Sequence, residues 1–398
     1  IGSWDDDSKT CTLAGDVSES IEIKSSGITL DGNGATLLGP DGLAAGVYVP
    51  GGTGITIKNL TIKGFANGIY LYNAAGCFIG GNTIMEVTGT GITLSPQNPN
   101  SDGGGNLVTG NQILDTPTGI FNKHEKNTFI RNTIRSADFA LDSNKELGSF
   151  YNNNLIGNKS PFFNGKDGQE LFAELFGGNY WSSYDSPFEG CVNLNVDVFW
   201  DTAFVPPANN GLAGIDAFPW TKPDGWLYVE FSAPDGPIEF VDDPDDSEDG
   251  IEIKVSAHFV DMDVNTTHTA VEWDWGDGET SPAYVKEGEL DGEGYVEDET
   301  HKYKANGVYE IKLTMKDAPY LSTIVASYKY IVLYDPSAGF VTGGGSIDSP
   351  AGAYVPDPKL SGQATFGFIS KFMRNGKVLE LDGSTTFEFH AADFRFTS

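Results

Sequence analysis

The densest group of chemistry-bearing side chains in the sequence is His124, Glu125 and Lys126, within NKHEKN, with Asp138 and Asp142 shortly after. A base beside a charge-neutralising cation, or a pair of carboxylates, is what an enzyme needs to cleave or epimerise a polysaccharide. A second group, Asp261, Asp263 and Asn265, sets three oxygen side chains on alternate residues. Loops of that pattern hold hard cations, so it is a candidate calcium site, without the Gly and distant Glu of an EF-hand. The run DDPDDSED (242–249) is a second place for calcium and reads as well as a solvated loop. In GGNYWSSY, Tyr180, Trp181 and Tyr184 are candidates for stacking on sugars, or for packing a cap.

Other chemistries find no footing. The five histidines (124, 258, 268, 301 and 390) show no metal-type pairing, and Cys77 lies in a strand pattern, so neither zinc nor copper is expected. No P-loop, dinucleotide fingerprint or nucleophile elbow occurs. The Gly-rich VTGGGS (341–346) lacks the lysine and following helix of a phosphate cradle.

The 398 residues carry 56 acidic and 24 basic side chains, a net charge of -32. Such a chain repels phosphate backbones, so nucleic acid is not an expected partner; cations and basic surfaces are. The acidity is concentrated in residues 227–335, with 26 acidic side chains against seven basic ones. No apolar run approaches the ~18 residues of a membrane-spanning helix. No signal peptide pattern is present, and the chain opens on Ile1 rather than Met, as a mature or trimmed chain would. Cys11, Cys77 and Cys191 are too few for a disulfide scaffold and leave open one bridge plus a free thiol, or none.

The elements that must position these groups repeat. A Gly followed by an aliphatic recurs at Gly46, Gly68, Gly91 and Gly119. A second landmark falls at Leu60, Asn82, Asn111, Asn132 and Asn153, and both series lengthen at SPQNPNSDGGG (95–105), a loop by composition. Short alternating stretches such as GITIKNLTI (54–62) and NTFIRNTI (127–134) read as strands. Strands on a period of about 22 residues, with no helical segment between, point to a parallel β-helix. Equivalent side chains then stack, and an Asn donates to one rung while accepting from another. Asn82, Asn111, Asn132 and Asn153 are expected to form such a ladder. The ends of the coil need covers: residues 3–16 at one end, and 161–226 at the other, including a helix over QELFAELF (169–176) capped by Asp167.

After Trp226 come LYVEF, IEIKVSAHFVD, VEWDWGDG, HKYKANGVYEIKLTMKD and SYKYIVLYD, which alternate between turns and predict a β-sandwich over 227–335. Residues 336–398 read as a small β module. Its last strand pattern runs to Ser398, as if truncated or completed by a strand of another molecule. The fold class is therefore all-β: a β-helix, a sandwich and a small third module.

Two family resemblances add to this. TCTLAGDVSESIEIKSSGITLDGNGATLLG (10–39), and GGNYWS (177–182) with PWTKPDGW (219–226), resemble the opening turns and closing motif of secreted NosD-like repeat proteins, over roughly 4–226. EGCVNLNVDVFWD (189–201) is added to that pattern. WDWGDG, with His301-x-Tyr303 and Gly307-Val308-Tyr309, resembles a PKD domain, an immunoglobulin-like module of cell-surface proteins. The resemblances imply a right-handed coil and an extracellular or cell-surface address. The expected function is a structural or adhesive protein, a subunit of a filament or surface layer. Its partners would be further copies joined by strand addition, other surface proteins, or polysaccharide. The alternative is a carbohydrate-binding protein or a polysaccharide lyase or epimerase acting in a β-helix groove.

Overall fold

The computed structural model describes residues 2–39, 45–96, 104–143, 145–163 and 178–184. Beyond these it describes 203–204, 207–208, 211–212, 215–217, 219–220, 223–234, 238–240, 250–262, 266–288, 292–318, 320–334, 340–350, 353–354, 362–375, 378–389 and 394–397. The expected helix at 169–176, the 189–201 insertion, Cys191, Asp263, Asn265 and the run 242–249 lie outside them. Every described element is a strand.

Residues 10–163 wind into a parallel β-helix with three faces. The first face stacks strands 10–13, 29–31, 56–58, 78–80, 107–109, 128–130 and 149–151, and the strand 2–5 pairs antiparallel on its outer end. The second stacks 36–38, 61–63, 83–85, 112–114, 133–135, 154–156 and 180–181. The third stacks 21–22, 45–49, 67–72, 90–95, 118–122, 139–143 and 160–163. Register holds residue by residue from rung to rung: Thr83 pairs with Thr61 and Gln112, and Ile69 with Val47 and Ile92. Alternation turns one side chain of each pair inward. Ile57, Ile62, Ile69, Ile79, Ile84, Ile92, Ile113, Ile120 and Ile134 all show no exposed surface.

The repeated Gly has a steric cause. A Cβ on Gly46, Gly68, Gly91 or Gly119 would come within 2.5–2.6 Å of the Cγ2 of Ile62, Ile84, Ile113 or Ile134. The third face therefore closes on the second only where a side chain is missing.

Trp220 and residues 223–226 lead from the rod into two facing sheets. One orders strands 227–232, 251–261, 293–303 and 285–287; the other orders 238–239, 323–334, 307–318, 267–274 and 280–282. Between them lie Phe259, Trp273, Trp275, Tyr303, Ile311, Leu313 and Met315, all buried. Trp220 and Trp226 belong to the same apolar cluster, so the rod's exit segment is part of the sandwich core. The last strands, 340–349, 362–375, 378–389 and 394–397, form an antiparallel meander. Its register places Phe366, Phe387 and Phe396 in one cross-strand row.

Candidate functional site

The expected catalytic cluster is taken apart by the coil. His124 is buried at an inner corner, beside the amide of Asn122. Glu125 and Lys126 point outward and are exposed, with Glu125 near Lys145. Lys126 holds a left-handed corner at φ +62°. Asp142 pairs with Lys123 at 3.4 Å, and Asp138 with Lys159. His124 is buried, whereas Lys123 and Asp142 pair at the partly exposed surface.

The sugar-stacking candidates are corrected in the same way. Tyr180, Trp181 and Tyr184 are buried. Trp181 stacks on Phe150 at 6.3 Å and Tyr184 on Phe204 at 4.7 Å, closing the end of the coil. All three rings are buried, with Trp181 and Tyr184 packed on Phe150 and Phe204 at the end of the coil, instead of offering a face to a sugar.

The asparagine column carries a polarised chain of hydrogen bonds. Asn82 Nδ2 donates to Asn111 Oδ1 at 2.9 Å, Asn111 to Asn132 at 3.0 Å, and Asn132 to Asn153 at 3.1 Å. Each Oδ1 also accepts the backbone N–H of the residue a rung earlier, as Asn132 Oδ1 does from Asn111. The chain then continues through two residues that spacing did not single out. Asn153 donates to Asn179 Oδ1 at 2.9 Å, and Asn179 to Asp216 Oδ2 at 3.3 Å. Asp216 also accepts Asn179 N–H and Trp181 Nε1–H, both at 2.7 Å. A fully buried carboxylate thus terminates five amides all pointing the same way. Gly178 makes room for it, since a Cβ there would meet the Asp216 carboxylate at 1.8 Å.

The residue before each ladder position sits in the left-handed conformation. The column reads Asn59, Gly81, Gly110, Arg131 and Asn152, with φ between +54° and +64°. Its chemistry changes where the sandwich docks. The turn at 320–322, between strands 307–318 and 323–334, comes against Gly81 and Gly110. A Cβ on Gly110 would lie 2.5 Å from the Tyr320 carbonyl oxygen and 2.6 Å from the Ser322 nitrogen.

One rung further on, Arg131 reaches into the sandwich. Its Nη2 donates to both oxygens of Asp261, at 3.1 and 3.0 Å, and its Nη1 faces the Asp317 carboxylate. All three side chains are fully buried. The guanidinium carbon lies 5.0 Å from the Tyr320 ring and 5.7 Å from the Trp226 ring. Asp261 is held further by Thr266 Oγ1–H at 3.1 Å and His268 Nε2 at 3.0 Å, and Ser322 donates to Asp317. Asp261, a candidate calcium ligand in the sequence, therefore spends its carboxylate on Arg131, Thr266 and His268. Among the described residues no group of three or more His, Cys, Asp or Glu side chains converges as a metal site. Cys11 and Cys77 are free thiols. They lie on the first face three rungs apart, roughly 14 Å.

Near the far end of the sandwich, His301 stacks on Trp275 at 4.8 Å with the planes 9° apart, and its Nε2 lies 2.8 Å from Asp277 Oδ2. Burial pushes the Asp277 carboxyl up. The bonds from His301 and from the Glu279 N–H outweigh it and hold the group below the ordinary carboxylate value. Burial pushes the Tyr303 hydroxyl well up, and it donates to the Trp275 carbonyl at 2.8 Å.

Residues 6–186 match the family described as "Periplasmic copper-binding protein (NosD)". The coil, its asparagine column and its closing Tyr180–Trp181 strand fall within that match, so the similarity to this family lies in the β-helix. No curated protein matches the chain. Among solved structures it is similar to an alginate lyase from Paenibacillus sp. str. FPU-7, at 16% identity and a TM-score of 0.31, over 43% of this chain and 81% of that one.

Proposed function

We propose that the chain is a non-catalytic scaffold of the cell exterior: a stiff rod that holds a sandwich domain at a fixed orientation and serves in adhesion or in a surface filament or layer. The observation that carries this is the Arg131 clamp. A module on a flexible tether has no use for a buried arginine between two buried carboxylates. Desolvating those charges is unfavourable unless the geometry is held closely, and here it is held by two rings, a threonine, a serine and a histidine. The exit segment adds to it: Trp220 Nε1 donates to Asn152 Oδ1 at 3.0 Å, and Asp224 exchanges two bonds with Asn154.

The periplasmic description of the matching family agrees with an address outside the cytoplasm. Its copper does not carry over. Residues 6–186 offer one histidine, one methionine and two cysteines as soft or borderline donors (His124, Met85, Cys11 and Cys77). His124 and Cys77 are buried and the two thiols are rungs apart. That set does not fit a copper centre, and no step is assigned to one.

Assembly would run through the last module. Among the described residues its strands 340–349 and 394–397 are paired on one side only, and Phe366, Phe368, Phe394 and Phe396 are exposed. Such edges accept a neighbour's strand. Small-angle scattering and negative-stain microscopy of the purified chain test the reading. Particles with one rod-to-sandwich angle, joining end to end as concentration rises, are expected. A continuous spread of angles, or release of unsaturated or reducing sugar ends from a polysaccharide, would overturn it.

A further inference from the structure

The outer face of the sheet built from 227–232, 251–261, 293–303 and 285–287 carries a row of exposed polar and aromatic side chains. Register sets Glu230 opposite His258, His258 opposite Tyr295, and Tyr295 opposite Lys286, so one row crosses all four strands. The row floors an open groove of about 970 Å³ that also takes in Ser232, Ser256, Glu297 and Asp298. Tyr295 is 53% exposed, with its ring 5.0 Å from that of His258. Tyr228, 45% exposed, stands on the same face two residues before Glu230. Tyr284, 60% exposed, flanks Glu297, whose N–H donates to the Tyr284 carbonyl at 2.9 Å.

The polar groups around these rings are tied down. Lys286 pairs with Glu297, and Lys254 with Asp298. In a domain with 26 acidic side chains against seven basic ones, the groove holds three carboxylates, Glu230, Glu297 and Asp298, the last two paired with lysines. One exposed ring in the groove, Tyr295, with Tyr228 and Tyr284 exposed beside it and polar side chains between them, suits a ligand that has apolar C–H faces and hydroxyl edges. The open shape suits a chain rather than a small molecule, which needs an enclosed pocket. The surrounding acidity repels a polyanion.

We propose that this face binds an uncharged polysaccharide chain. Tyr228 and Tyr295 stack on sugar rings, while His258, Lys286, Glu297 and Asp298 hydrogen-bond hydroxyls. The assignment stands apart from the scaffold reading, since a flexible chain could carry the same groove.

The test is affinity electrophoresis of the full chain through native gels containing hydroxyethylcellulose, glucomannan or xylan, with alginate and heparin gels as charged arms. Retardation in at least one uncharged gel is expected, persisting in 0.5 M salt because stacking is not screened (about a 4 Å Debye length at that strength). The double variant Tyr228→Ala/Tyr295→Ala should bind about tenfold more weakly. Tyr295→Phe, which keeps the ring, should bind as the parent does, and so should Val308→Ala on the opposite sheet. No retardation in any uncharged gel overturns the proposal, as does equal retardation of parent and double variant. Retention by alginate or heparin alone also overturns it. So does binding of a basic protein such as lysozyme that the double variant loses, which would reassign the face to a protein partner.

Discussion

Along the rod's asparagine column a buried amide is answered by its own counterpart one rung away; in the sandwich a buried polar group is answered across the domain by a residue of another type. Asn111 meets Asn132, and Asn132 meets Asn153. Tyr303 meets the Trp275 carbonyl, and His301 meets Asp277. A periodic backbone delivers the same unsatisfied amide at each turn, so one side-chain type repeated solves all of them. A sandwich delivers each polar group once, in its own surroundings, and needs a separate solution for each. The junction follows neither habit. There a rod position that elsewhere holds Asn or Gly holds Arg131, and its partners lie 130 residues or more along the chain.

The contrast predicts an order of damage. Arg131→Ala leaves Asp261 and Asp317 buried beside each other without their cation, and should destabilise the protein most, by about 3–5 kcal/mol. Urea unfolding reads the loss, and scattering should show the sandwich released from its fixed angle. Next comes Asn132→Ala. Its side chain makes five hydrogen bonds, with Asn111 N–H and Nδ2, Asn153 Oδ1, and the carbonyls of Val108 and Ile130. Orphaning several of these inside the coil should cost about 3 kcal/mol. If it cost more than Arg131→Ala, the junction would not be the special place in the molecule.

A third comparison uses two glycines with nearly the same backbone. Gly110 and Gly105 have φ of +61° and +65°, but a Cβ on Gly105 meets nothing within 4 Å, whereas one on Gly110 strikes the Tyr320–Ser322 turn. Gly105→Ala should lose only the roughly 1 kcal/mol of left-handed strain. Gly110→Ala should lose about 2 kcal/mol or more, with the excess appearing as a loosened junction. Equal losses would mean that the turn yields and that Arg131 alone sets the docking.

How much of this was readable depends on repetition. The rungs were legible because Gly46, Gly68, Gly91 and Gly119, and the asparagines from 82 to 153, recur at near-constant spacing. The continuation to Asn179 and Asp216 was not, because Asn179 follows Asn153 by 26 residues and Asp216 belongs to no series. A usable signal did exist for Arg131. The residue before each ladder position is Asn or Gly, the types that tolerate a left-handed corner, and an arginine among them marks a position selected for something beyond the corner. Asp261 looked like a cation ligand because its neighbours in sequence are acidic and polar; its cation is a side chain from the rod, invisible to local pattern. Tyr180, Trp181 and Tyr184 show the same limit. An aromatic run looks alike whether it faces sugar or closes a core, and only the burial of the three rings decides.

The smallest expected effect probes the sandwich alone. Asp277 is held below its ordinary value of 3.8 although burial pushes the other way, because His301 and the Glu279 N–H favour its charged form. A carboxyl with a depressed folded-state pKa stabilises the fold above its unfolded value and loses that contribution as pH falls through the folded value. Asp277→Asn should therefore weaken the sandwich at neutral pH, by under about 1 kcal/mol since the side chain is 20% exposed. The gap between variant and parent should close as pH falls below about 4. Following Trp275 fluorescence during urea unfolding at a series of pH values reads this directly, since His301 lies flat on that ring. A gap that widens in acid would mean that the His301–Asp277 pair opposes folding. The Trp275–His301 stack would then hold the turn in place without help from the charge.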